Sequence, residues 1–191
     1  FKAGLTTQLV VGATQESDKE ILSLSSHLYK DFSLSRVYYS GFIPVYDTPL
    51  EDKPACAPLR EARLYQADFL LRGYGFKYEE LIFDTKGNLT LDKDPKLVWA
   101  QAHPERFPLE INRASEEELL RVPGIGRISC QRIISWRKKQ RFLRLEDLKK
   151  LGAVISRARN FITLTGKMYP SQKKKSISLS KEKQLFLWEE I

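Results

Sequence analysis

The stretch Val122-Pro123-Gly124-Ile125-Gly126 constrains this chain more than any other. Proline ends a helix and the glycines permit a tight turn, so whatever precedes and follows must fold back on itself. Upstream, Ser115 and Glu118 have the spacing of a capping box, and Leu119, Leu120 and Val122 give a short helix an apolar side. Downstream, Ile128, Ile133 and Ile134 lie at helical spacing, with Cys130 as a small residue where two helices would cross closely. The expectation is a helical hairpin whose turn is pinned by Ile125. Gly124 and Gly126 would then leave backbone N–H groups open at the start of the second helix, a geometry suited to a phosphate oxygen.

Charge concentrates around the same turn. The 191 residues carry a net +8, yet residues 1–104 hold 12 basic and 14 acidic side chains, whereas residues 105–167 hold 15 and 7. Arg121, Arg127, Arg132, Arg137, Lys138, Lys139, Arg141 and Arg144 surround the turn. Anion binding belongs in this segment. A shift of 28 residues lays Leu148, Gly152, Ala158, Phe161 and Ile162 over Leu120, Gly124, Cys130, Ile133 and Ile134. In this second copy Val154 replaces Gly126, so it is assigned to packing, with Arg157 and Arg159 flanking it. The pair is expected to form a compact four-helix unit.

The segment from Asn112 to Ile134 resembles the helix-hairpin-helix motif of DNA-repair and DNA-uptake proteins, in which such a turn grips one strand through its phosphates. On that resemblance the candidate DNA-contacting set is Val122, Pro123, Gly124, Ile125, Gly126, Arg127, Ser129, Arg132, Arg137 and Lys138. Phosphate contacts set affinity and register but read no bases, so binding should be nonspecific and salt-sensitive. The alternative is a structural hairpin that touches no DNA.

The N-terminal half reads differently. Leu5–Thr14 is a β-rich apolar run; Ser17 and Glu20 cap a helix carrying Ile21, Leu22, Leu24, Leu28 and Phe32; Arg36–Val45 is a second strand. Strand, helix, strand favours a right-handed parallel crossover. Two strands make a poor sheet, so residues 1–57 are expected to be an α/β remnant: the terminal βαβ of a partial barrel plus a proline-rich loop. Because the chain starts at Phe1, it is expected to be a piece of something longer. Residues 58–104 are expected to be a helical connector, with a helix over Leu59–Arg72 whose Arg60, Glu61, Arg63 and Asp68 form a solvated face. A short helix over Phe76–Phe83, a turn at Lys86-Gly87-Asn88 and a helix capped by Asp94-Pro95 running to His103 complete it. Residues 105–167 form the mainly helical hairpin domain, and 168–191 a basic, serine-containing tail.

That tail ends in Gln184-Leu185-Phe186-Leu187-Trp188, an apolar patch that needs cover. Gln184, Leu185, Leu187 and Trp188 resemble the pentapeptide by which bacterial repair and replication proteins dock on the DNA sliding clamp, although Phe186 departs from the usual small or acidic residue. The alternative is that the tail folds back on its own domain.

Taken together, Thr6–Thr14, Arg36–Ser40, Arg63–Asp68, Asp94–Leu97, His103–Phe107 and the hairpin resemble the C-terminal half of the DNA modification/repair radical S-adenosylmethionine proteins. The resemblance implies a four-iron, four-sulfur cluster and S-adenosylmethionine, held chiefly by an N-terminal half whose three-cysteine motif is absent from this sequence. It also implies that Gln8, Gly12, Ala13 and Thr14 face the cofactor cavity; the alternative is that these strand-end residues only pack. No cofactor is expected on this chain alone.

Other chemistry finds little footing. Cys56 and Cys130 are the only cysteines and His27 and His103 the only histidines, too scattered for a local metal pair. Neither a nucleophile elbow nor a P-loop occurs. No apolar run reaches the roughly 18 residues of a membrane span, so a soluble cytoplasmic protein is expected. The favoured reading is a nonspecific DNA-binding region that serves a repair or modification enzyme. Its rival is an interaction module that recruits a protein partner such as the clamp.

Overall fold

The computed structural model describes residues 4–169. The N-terminal expectation of strand, helix, strand holds: β1 (Thr6–Val11) and β2 (Arg36–Gly41) pair in parallel from Thr6 opposite Arg36 to Val11 opposite Gly41, joined by α1 (Asp18–Asp31). Ser17 and Glu20 form the reciprocal capping box that starts α1. Both strands are shorter than their apolar runs. The N–H of Gly12 turns away from the ladder to Glu16 Oε1, and beyond Gly41 the side chains of Ile43, Val45 and Tyr46 are exposed.

Helix α2 (Pro58–Gly73) packs on β2 and α1, and here the expected solvated face needs correction. Asp68 is fully buried. Its carboxylate accepts the hydroxyls of Tyr29 and Tyr39 and, at 2.8 Å, Nε of Arg72, while Tyr29 in turn accepts the N–H of Val37. One buried charge thus ties α1, β2 and α2 together, which a burial penalty permits only because every partner is present. Burial and this carboxylate push the Tyr29 phenol up to about 12. Arg60 is likewise turned inward, donating from Nε to buried Asp18 at 2.7 Å.

Residues 74–104 do not form a separate connector. Phe76–Phe83 holds only a 3-10 turn at Tyr78–Glu80, and α3 (Pro95–Ala102) begins at the Asp94 cap. Phe76, Leu81, Leu89, Trp99 and Ala100 share one core with Val11, Leu22, Val37 and Leu64, so residues 58–104 complete the α/β unit. A barrel remnant is not shown: among the described residues β1 and β2 pair only with each other, and their outer face exposes Gln8, Val10, Arg36 and Tyr38.

The second core belongs to β3 (Leu109–Glu110), α4 (Glu116–Arg121), α5 (Arg127–Arg137), α6 (Leu145–Lys150), α7 (Ile155–Ala158), β4 (Ile162–Leu164) and β5 (Lys167–Met168). It buries Ile111, Leu119, Val122, Ile125, Cys130, Ile133, Phe142, Leu148, Ile162 and Leu164. The expected four-helix unit is incomplete. Helix α7 is a single turn, and Ile162, which the repeat aligns with helical Ile134, enters β4 between β3 and β5. Glu110 favours the strand by accepting Thr163 Oγ1 and the N–H groups of Thr165 and Gly166. Tyr74, Phe107 and Phe161 pack against both cores and join them. Among the described residues no helix is long and apolar enough to cross a membrane.

Candidate nucleic-acid interface

Helix α4 starts at the reciprocal capping box of Ser115 and Glu118 and ends at Val122. Val122, Pro123 and Ile125 are all buried, so their side chains shape the turn from inside. Gly124 makes the reversal at φ +86°, and its carbonyl accepts the N–H of Val154 at 2.8 Å. A Cβ at Gly124 would lie 2.5 Å from the Val154 carbonyl oxygen. This glycine is therefore required by the close approach of the second hairpin.

Gly126 caps α5. The first N–H groups of any helix lack an intrahelical acceptor. At α5 the N–H of Gly126 donates to Ser129 Oγ at 2.8 Å, and Ser129 returns a hydrogen bond to the Gly126 carbonyl at 3.0 Å. The Tyr74 hydroxyl stands beside the same end, 3.2 Å from where a Cβ on Gly126 would sit. The expectation of an open N–H is thus corrected at Gly126 alone, where the Ser129 hydroxyl occupies the donor.

The second hairpin reproduces the turn, with Gly152 at φ +91° matching Gly124. Its counterpart of the Gly126 N–H is that of Val154, already committed to the Gly124 carbonyl. The two turns therefore face each other through one backbone hydrogen bond.

Residues 108–156 carry a helix-hairpin-helix motif. The family model of that name matches there, over about a quarter of the chain, and such motifs are generally associated with nonspecific DNA binding. No curated protein and no solved structure matches the chain.

The basic side chains around the motif have separate placements. Arg127, Arg132 and Lys138 are exposed. Arg137 is half-buried and donates to the carbonyls of Ile111 and Ala114, holding the segment before α4. Arg121 is buried, paired with Glu80 at 2.7 Å and with Glu117 at 3.1 Å, and stacked over Phe76 and Trp99. It joins the two cores and has no free face for a ligand.

A groove of about 850 Å³ runs between α2 and the two hairpin turns. Arg36, Arg127, Arg132 and Arg157 line it, together with Phe69, Tyr74 and Ile128. Lys96 closes its floor: Nζ is buried, donates to the Ile125 carbonyl at 2.6 Å and lies 4.5 Å from the Tyr74 ring centre. Burial pulls this ammonium down to about 7 despite nearby Asp94. Sequence reasoning missed Lys96, Tyr74, Phe69 and Arg36. Asp94-Pro95-Lys96 was legible only as a helix start, and nothing local marks a residue that acts across 29 positions of chain.

The candidate cofactor residues lie elsewhere. Gln8 is exposed on the open sheet face, Gly12 donates to Glu16, the Ala13 carbonyl accepts Lys53 Nζ, and the Thr14 hydroxyl bonds Glu16. Local partners thus occupy the loop's polar groups. Among the described residues no group of three or more His, Cys, Asp and Glu side chains is placed to hold a metal. Cys56 and Cys130 belong to different cores, so these residues do not fit an iron–sulfur cluster. Gln184, Leu185, Leu187 and Trp188 lie outside the described residues.

Proposed function

We propose that the chain binds DNA without sequence preference, through phosphates held at the Gly126 end of α5 with Arg127 and Arg132 beside them. The observation that carries this reading is the juxtaposition, within the helix-hairpin-helix match, of an eleven-residue helix N-terminus with two exposed arginines. The helix dipole and the guanidinium charges act in the same direction on an anion. Ser129 Oγ can rotate away and release the Gly126 N–H to a phosphate oxygen. The test is fluorescence anisotropy of short labelled DNA across a salt titration. Affinity should fall steeply with salt, be alike for scrambled sequences, and lose about one unit of log–log slope for each of Arg127→Ala and Arg132→Ala. Salt-insensitive binding, or none, would overturn it.

As a finer reading, this region serves as the DNA-targeting half of a radical S-adenosylmethionine repair or modification enzyme in the cytoplasm. The exposed outer face of the β1–β2 sheet and its edges, unpaired among the described residues, support it, since such a sheet gains by further strands. The cluster would be held wholly by the other half, because this chain's described residues do not fit it. Co-expression with a radical S-adenosylmethionine half should yield a complex with an iron–sulfur absorption band that this chain alone lacks. Clamp docking by Gln184–Trp188 is tested by truncation before Gln184, which should abolish clamp capture and leave DNA affinity unchanged.

A further inference from the structure

The groove beside the hairpin contains more than a phosphate grip needs. Its basic rim comprises Arg36, Arg127, Arg132 and Arg157, all exposed, and among the described residues lining it only Asp94 is acidic. Between these cations the surface is apolar: Phe69 is 48% exposed, Ile128 66% and Val154 48%, and the Phe69 ring meets the Tyr74 ring edge-on at 5.3 Å. Two further cations on the floor are already engaged, Arg72 with Asp68 and Lys96 with the Ile125 carbonyl. Hydrogen bonds to a duplex backbone come from basic and polar side chains, backbone N–H groups and helix N-termini, and leave exposed Phe69, Ile128 and Val154 without a role. An unpaired strand presents both surfaces at once: phosphates for the rim, and base faces for an aromatic platform.

We infer that this groove receives an unpaired stretch of a DNA strand, its bases stacked on Phe69 and against Ile128 while its phosphates run along Arg127, Arg132 and Arg157. The inference rests on the phosphate-binding reading of the hairpin and adds to it the state of the DNA. The groove lies where α2 of the first unit faces both turns of the second, so neither unit alone forms it. The α/β unit thereby supplies the stacking wall and the motif supplies the charge.

The test uses the full chain with three labelled DNAs of one sequence: single-stranded, fully paired, and paired with an internal gap, each carrying 2-aminopurine in the stretch that is unpaired in the gapped form. Single-stranded and gapped DNA should bind more tightly than duplex, and 2-aminopurine fluorescence should change on binding. Phe69→Ala should weaken unpaired DNA by about 5- to 150-fold, the span of base–aromatic stacking, and abolish the fluorescence change. Duplex affinity should stay within about twofold, and Phe69→Tyr should restore stacking. Ile128→Ser, at a more exposed position, gives the same contrast if Phe69→Ala fails to fold. Equal loss on paired and unpaired DNA, or no loss on either, overturns the groove assignment while leaving the hairpin reading intact. Failure of the wild-type chain to bind any of the three overturns both.

Discussion

The two hairpins have the same turn and different fates. Each has its reversing glycine in the left-handed region, Gly124 at φ +86° and Gly152 at φ +91°, and each buries a leucine of its first helix. They part at the next donor. In the first hairpin the Gly126 N–H bonds a rotatable hydroxyl, Ser129 Oγ; in the second the Val154 N–H bonds a backbone carbonyl of the partner turn. Exchanging the side-chain acceptor for a ligand oxygen needs only a rotation of Ser129, whereas the inter-turn bond joins two backbones and is broken only by separating the hairpins. The second turn's donor thus holds the first turn, while the first turn's donor is held only within its own helix.

The sharpest way to break this comparison is to put a methyl group on each turn glycine. At Gly124 a Cβ meets the Val154 carbonyl at 2.5 Å in addition to left-handed strain, whereas at Gly152 its nearest neighbour is the mobile end of Arg132 at 3.7 Å. Gly124→Ala should therefore cost about 3–5 kcal/mol of unfolding free energy, and Gly152→Ala only about 1–2 kcal/mol, the strain alone. Urea melts followed by circular dichroism decide it. Equal costs would mean that the turns do not meet as described.

Sequence legibility divides along the same line. The first hairpin was readable because capping box, proline, turn glycines and apolar spacing are all local signals at Ser115–Ile134. The βαβ order was readable for the same reason. What failed was non-local. Asp68 looks like any exposed carboxylate on a helix face, and only Tyr29, Tyr39 and Arg72, brought from other elements or a turn away, make its burial tolerable. Ile162 continues the helical repeat pattern yet joins a strand, because Glu110, 53 residues from Thr163, supplies acceptors for the strand and its turn. At Gly124 a further requirement was invisible, since the atom that forbids a side chain there comes from the second hairpin.

A buried cation distinguishes the turns further. Lys96 anchors the Ile125 carbonyl of the first turn, and its ammonium is held down to about 7 by burial. A lysine with a folded pKa below its unfolded value near 10.4 binds fewer protons in the folded state between those values. Stability should therefore rise with pH from about 7, below which the penalty is fully present. The Cys130 thiol, pushed up to about 11, acts in the opposite sense above its unfolded value of about 8.5, so the informative window is pH 7 to 8.5. Across it the wild-type chain should gain about 1–2 kcal/mol, and Lys96→Met should flatten the gain. A pH-independent melting temperature in the wild type would remove Lys96 as a desolvated anchor.

Exchanging the divergent residues sharpens the contrast from the ligand's side. Gly126→Val makes the first hairpin resemble the second, and its Cβ, 3.2 Å from the Tyr74 hydroxyl, narrows the approach to α5. DNA affinity should fall about tenfold, or about 1.4 kcal/mol, at fixed salt. The reverse change, Val154→Gly, should confer no gain in DNA affinity, because its N–H stays bonded to the Gly124 carbonyl. Gain of affinity in Val154→Gly would show that side-chain bulk, not the committed donor, keeps the second hairpin from binding.

The smallest effects separate two adjacent cations at the end of α5. Arg137 donates to the Ile111 and Ala114 carbonyls, so Arg137→Ala leaves two acceptors to find water and should cost about 1 kcal/mol of stability with no change in the salt slope of DNA binding. Lys138 is exposed, and Lys138→Ala should alter stability by less than about 0.5 kcal/mol. If a phosphate reaches this far along α5, the same change lowers the salt slope by about one. A slope changed by Arg137→Ala and untouched by Lys138→Ala would place the strand against the segment before α4 instead, at the opposite end of α5 from Arg127.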